Sequence, residues 1–162
     1  MPAKTDYLST YMQDHRAGAE IGRDLAERMR DENAGTPYEE FLTQLAQEID
    51  EDVATLEKFM DRFDTDASAL KTAGAKVAEK LGSLKPNEHL TSYSPLSRVH
   101  ELEALRGGVQ GKQALWDALY EISADDERLA SAELEGLIAK AERQLSGLRV
   151  HHRMASREAF GA

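Results

Sequence analysis

The chain has 162 residues, 41% of them hydrophobic and 31% charged, the composition of one soluble globular domain with a sizeable core. Thirty acidic residues against twenty basic ones leave a net charge of −10, which argues against nucleic-acid binding, because that needs Lys and Arg to neutralise phosphates. Cysteine is absent, so disulfides, thiol catalysis and thiolate metal sites are excluded, and a reducing, cytoplasmic setting is expected.

No apolar run is long enough to span a bilayer, and residues 1–6 carry no secretory apolar segment. A first helix is predicted over residues 6–31. Its seam is Leu8, Tyr11, His15, Gly18, Gly22, Leu25 and Met29, spaced alternately three and four. Asn33 and Gly35 then end it. A second helix over 37–63 opens with Thr36 as N-cap, Pro37 at the first helical position and Glu39 in the capping-box position. Its seam runs through Tyr38, Leu42, Leu45, Ile49, Asp52, Leu56, Phe59 and Phe63.

Residues 64–93 read as a connection holding one short amphipathic helix over 67–81. Lys71, Lys76, Lys80 and Lys85 make it the one locally basic stretch, and its apolar side lacks aromatics, so a solvated face is expected and not a membrane contact. Ser94–Pro95 starts a third helix over 95–123, with a seam of Leu102, Leu105, Val109, Lys112, Trp116 and Leu119. A fourth helix over 131–159 has Leu134, Ile138, Ala141, Leu145, Leu148, His152, Ala155 and Ala159 on its seam.

Four long helices with one apolar stripe each can satisfy one another only as a bundle. The first and last connections are short and make antiparallel hairpins, while the middle one can travel the length of the bundle. The expected fold is therefore an all-α antiparallel four-helix bundle, one domain over 1–162, with a long crossover containing the short helix.

This layout, with acids on inward faces, resembles the ferritin-like superfamily. The runs Asp14-His15-Arg16-Ala17-Gly18, Tyr93-Ser94-Pro95-Leu96 and Glu101-Leu102-Glu103 are similar to a bacterial ferritin-like branch without the usual Glu-x-x-His motifs. The resemblance implies a dimetal centre, which in that superfamily uses a Glu from each of two helices and Glu-x-x-His from each of the others. This chain has neither copy: Glu48 is followed three residues on by Glu51, and Glu142 by Leu145.

The polar seam residues are therefore the candidate site. Counting outward from each hairpin turn sets His15 level with Asp52, Lys112 level with Glu142, and Glu101 level with His152. If the connection crosses the bundle, His15, Asp52, Lys112 and Glu142 share one layer as a buried ion-pair network, with Glu101 and His152 about 16 Å away. If it does not, His15, Glu48, Asp52, Glu101 and His152 converge as a site for Fe, Mn or Zn. Crossing is the preferred reading, with no cofactor.

Gly18, Gly22, Gly107, Gly108 and Gly111 lie mid-helix, where each costs about 1 kcal/mol relative to Ala. Close backbone approach between the first and third helices is expected there; room for a small ligand is the other reading. Three functions follow. The first is a non-catalytic bundle acting through its surface, as a homodimer or with a protein partner. The second is a metal-binding oxidase or storage protein. The third is a module that binds a helix or small molecule at the glycines.

Overall fold

The computed structural model describes residues 4–65 and 92–161, and the predicted short helix over 67–81 lies outside them. Four helices are present: α1 (Lys4–Glu32), α2 (Glu39–Arg62), α3 (Pro95–Ile122) and α4 (Ser131–Phe160). There is no strand among the described residues. Within them no helix is long and apolar enough to cross a membrane.

The boundaries follow local chemistry. Gly35 turns the chain between α1 and α2 at φ 75°, a left-handed backbone that glycine adopts without penalty. Thr36 Oγ1 accepts the Tyr38 N–H at 3.2 Å, and Glu39 reaches back to the Gly35 N–H at 2.9 Å. The second helix thus opens at Glu39, two residues later than the Thr36–Pro37 pair suggests, because residues 36–38 close a turn first. At α3, the Ser94 hydroxyl accepts the Ser97 N–H at 3.1 Å and Pro95 follows it.

The helices pack as α1 against α2, α3 against α4, and α1 against α3. Side-chain bonds join α2 to α4, as from Arg62 to Glu133 at 2.9 Å. Arg62 and Phe63, at the end of α2, meet Arg128 and Glu133 at the α3–α4 turn. At the other end, Asn33 in the α1–α2 turn meets Tyr93 and Arg98 at the start of α3. The second and third helices therefore run in the same direction, and Thr65 and Ser92 stand at opposite ends of the bundle.

Arg98 ties that upper end together. It donates to Asn33 Oδ1 at 2.7 Å and to Glu158 at 2.8 Å, and its guanidinium lies 4.4 Å over the Tyr38 ring. Burial pushes the Tyr38 and Tyr93 hydroxyls up to about 12.

The core divides into two clusters. The upper holds Tyr38, Leu42, Leu45, Leu102 and Leu148; the lower holds Met12, Phe59, Trp116, Leu119 and Leu134. The buried stripe on α4 runs Leu134, Ala141, Gln144, Leu148 and Ala155. Leu145 and His152, placed on the seam by the sequence, are only half-buried. On α1 the deepest residues are Met12, Ala26 and Met29, and the middle of the predicted seam is half-exposed.

Candidate functional site

Between the two core clusters lies a polar layer. Asp52, on α2, is 4% exposed, and Gln144, on α4, is 3% exposed. Lys112 reaches into the same layer from α3, and its ammonium donates to Asp52 Oδ2 and, at 2.6 Å, to Gln144 Oε1. Gln144 Nε2 donates to Glu48 at 2.9 Å and to Asp52 Oδ2 at 3.2 Å. Lys140, one turn before Gln144, stands 2.9 Å from Asp52 Oδ1 and 3.0 Å from Glu51.

A buried carboxylate is tolerable here because both oxygens face an ammonium. Burial lowers the Lys112 ammonium, against the opposing charge and hydrogen bond of Asp52. Burial also acts to lower Lys140, but its bonds to Asp52 and Glu51 outweigh that and raise it.

The predicted residues are only partly assembled. Asp52 and Lys112 pair, and His15 lines the space beside them. Glu142 is exposed and is not in the layer. Hairpin counting gave its level correctly to within two residues, but those two residues are about 200° of rotation, which turns Glu142 outward and gives Gln144 the inward place. Glu101 does not meet His152: it accepts from Arg28 at 2.8 Å, while His152 bonds Glu103 at 3.0 Å. Glu48 is held by the amides of Gln44 and Gln144. The five residues of the metal alternative are thus divided among separate partners. Among the described residues no three His, Asp or Glu side chains are grouped to hold a metal ion.

Beside the polar layer a half-open cleft of about 630 Å³ runs between α1 and α3, floored by α2. All five mid-helix glycines wall it: Gly18 and Gly22 on α1, Gly107, Gly108 and Gly111 on α3. A Cβ added at any of them would meet nothing within 4 Å. Close backbone approach is therefore not why they are glycines. They line open space, which extra methyl groups would narrow.

The cleft is asymmetric. Ile21, Leu25, Leu105 and Val109 line one part of it, and Ile49 and Val53 its floor. At the lower end stand His15, Asp52, Lys112 and Trp116. His15 makes an edge contact with the Tyr11 ring, with centroids 4.5 Å apart, and its ring nitrogens have no hydrogen-bond partner among the described residues. Burial lowers its pKa, with Asp14 opposing, so the ring is neutral at neutral pH. Trp116, 1% exposed, has an indole N–H with no acceptor.

Sequence reasoning missed Gln144, Lys140 and the free Trp116 N–H. Gln144 lies on a three-four stripe, Leu134, Leu137, Ala141, Gln144, Leu148, His151 and Ala155, but the stripe through Leu145 is equally regular, so spacing carries no signal that singles Gln144 out. No protein-family model, curated protein or solved structure matches the chain.

Proposed function

We propose that this chain is a ferritin-like bundle without a dimetal centre, and that it binds a small, largely apolar molecule in the cleft between α1 and α3. The parallel course of α2 and α3 supports the ferritin-like part, since one long crossover gives that arrangement. The pairing of Lys112 with Asp52 supports the loss of the metal: an ammonium holds the carboxylate that a cation would need.

The observation that carries the binding function is the glycine wall. Five helix-weakening residues face one cleft, and none is required by contact with a neighbour. A cleft of about 630 Å³ is the size that takes small ligands, and such sites are apolar with a few polar groups. The cleft has no nucleophile backed by a base and no metal cluster among the described residues, so binding is favoured over catalysis.

Action through a protein surface has weaker support. Tyr7, Tyr120 and Ile122 are exposed at one end of the bundle, and Leu96 and Phe160 at the other, so they form no single patch.

The test is a titration of the full chain with Nile red. Saturable one-to-one binding is expected, with loss of binding in Gly18→Leu/Gly111→Leu, whose side chains fill the cleft. Thermal unfolding of the variant confirms that it is folded. Unchanged dye binding by the folded variant would refute the cleft as the site.

A further inference from the structure

The polar end of the cleft carries more information than its volume, and this inference rests on the binding function just proposed. On α1 the cleft extends from Tyr11 to Leu25, a rise of about 21 Å. Spread over that length, 630 Å³ leaves a cross-section of about 30 Å², enough for a single alkyl chain. From the level of His15 to that of Leu25 the lining is glycine and aliphatic over about 15 Å, the reach of a medium-length chain.

The unused hydrogen-bonding groups gather at the other end. The Trp116 side chain borders the cleft, and its N–H has no acceptor and no exposed surface, so a head reaches it once the ring shifts toward the open space. An ammonium has three hydrogens, and Lys112 spends two on Asp52 and Gln144. The third has no acceptor among the described residues. The neutral His15 ring offers one donor and one acceptor. Two of the three groups can only donate, so the head they receive must accept.

Charge then separates the acceptors. Asp14 lines the cleft, and Glu48, Glu51 and Asp52 surround the polar layer, against the ammonium groups of Lys112 and Lys140 among the described residues. A carboxylate head would add a further negative charge to an already anionic site. A quaternary ammonium head would bring no acceptor and would face Lys112. A hydroxyl or carbonyl accepts from Trp116 and Lys112 without adding charge.

We propose that the cleft binds an uncharged amphiphile, an alkyl chain bearing a hydroxyl or carbonyl head, with the chain along the glycines and the head at Trp116, Lys112 and His15.

Trp116 is the chain's one tryptophan, so its emission reports the head end directly. The experiment titrates the full chain with 1-decanol below its solubility limit and with decanoate and decyltrimethylammonium below their micellar concentrations. It then compares quenching by 2-bromodecan-1-ol and 10-bromodecan-1-ol. Decanol is expected to bind at least tenfold tighter than either ion, with stronger quenching by the 2-bromo compound. Trp116→Phe, which lacks the emitting indole and is read by displacement of Nile red, should weaken decanol about fivefold and decyltrimethylammonium not at all, the effect of one lost hydrogen bond. Equal or tighter binding of decanoate or decyltrimethylammonium would overturn the uncharged head while leaving the cleft as a binding site. Stronger quenching by the 10-bromo compound would overturn the orientation. No binding of any of the three, together with no Nile red binding, would overturn the binding function itself.

Discussion

Replacing Gly18, Gly22 and Gly111 together with Ala is expected to stabilise the fold. In a helix interior Ala is favoured over Gly by about 1 kcal/mol, largely because glycine loses more chain entropy on folding. That gain is usually cancelled where the new methyl collides with a neighbour. Here a Cβ at each of the three positions has nothing within 4 Å, so little is lost. The triple variant should gain about 2–3 kcal/mol, which raises the melting temperature of a domain this size by about 5–10 °C. It should also bind Nile red more weakly, because three methyl groups enter the cleft.

Gly147→Ala supplies the opposite sign in the same fold. Its Cβ would stand 2.5 Å from Cε2 of Phe41, whose ring stacks on His151 at 3.9 Å with an interplanar angle of 7°. Relieving the clash means breaking that stack, and overpacking of this kind costs about 1–3 kcal/mol against the 1 kcal/mol gained. A net loss of about 1 kcal/mol is expected. Urea unfolding followed by circular dichroism reads both variants. Destabilisation of the triple variant would refute the open glycine wall, and so would equal behaviour of all four positions.

Lys112→Met should destabilise by about 3 kcal/mol in the same assay, since Asp52 and Gln144 stay buried while Lys140 still faces Oδ1. Lys112→Met/Asp52→Leu should recover much of that loss, and a single variant as stable as wild type would contradict the buried pair. Burial lowers the pKa of folded His15 below its unfolded 6.5, so as pH falls the unfolded chain takes the proton first. Stability should therefore decline from pH 6.5 down to the lowered value and be flat just above 6.5; urea midpoints in His15→Asn should show a shallower decline. Arg98→Ala should cost about 2–3 kcal/mol by freeing Asn33 and Glu158 and uncovering Tyr38, and Arg98→Lys should rescue little, because one ammonium cannot reproduce the fork and the stacking.

Much of the helical framework could be read from periodicity, because each helix must bury a stripe and the stripe has a fixed spacing. Ser94–Pro95 located the start of α3 to the residue, since a cap and a proline leave few alternatives. The polar layer was harder. Counting from a turn gives height along the bundle but not rotation, so Lys112 was set opposite Glu142 when Gln144 faces inward. The seam of α4 was drawn through Leu145 because a leucine outranks a glutamine on any hydrophobic scale. The spacing through Gln144 is as regular as that through Leu145, so periodicity cannot choose between them, and a buried amide is acceptable once bonded. The glycines mark the place of the cleft in the sequence, where room for a small ligand is one of two readings, but the sequence cannot choose between them, because a glycine that permits contact and a glycine that leaves space are the same letter.

The cleft and the polar layer also explain each other. On α1 the ideal inward stripe is Met12, His15, Ala19, Gly22, Ala26 and Met29. Its ends are fully buried, while His15, Ala19 and Gly22 at its centre are half-exposed and wall the cleft. Large apolar residues at those three places would have closed α1 onto α2 and α3. They would also have sealed Asp52 and Lys112 in a dry core, where an ion pair is costly to desolvate. The small Ala19 and Gly22 and the polar His15 there leave Lys112 beside a half-open space, its side chain 15% exposed, while Asp52 beneath it keeps an ammonium at each oxygen. The same substitutions that weaken the helix thus supply the space for a ligand and the solvation that keeps a charged pair tolerable next to it. If the triple Ala variant is stabilised but its Lys112 loses exposure, Lys112→Met should cost more in that background than in wild type. A double-mutant cycle would measure that coupling, and strict additivity would mean that cleft and layer are independent.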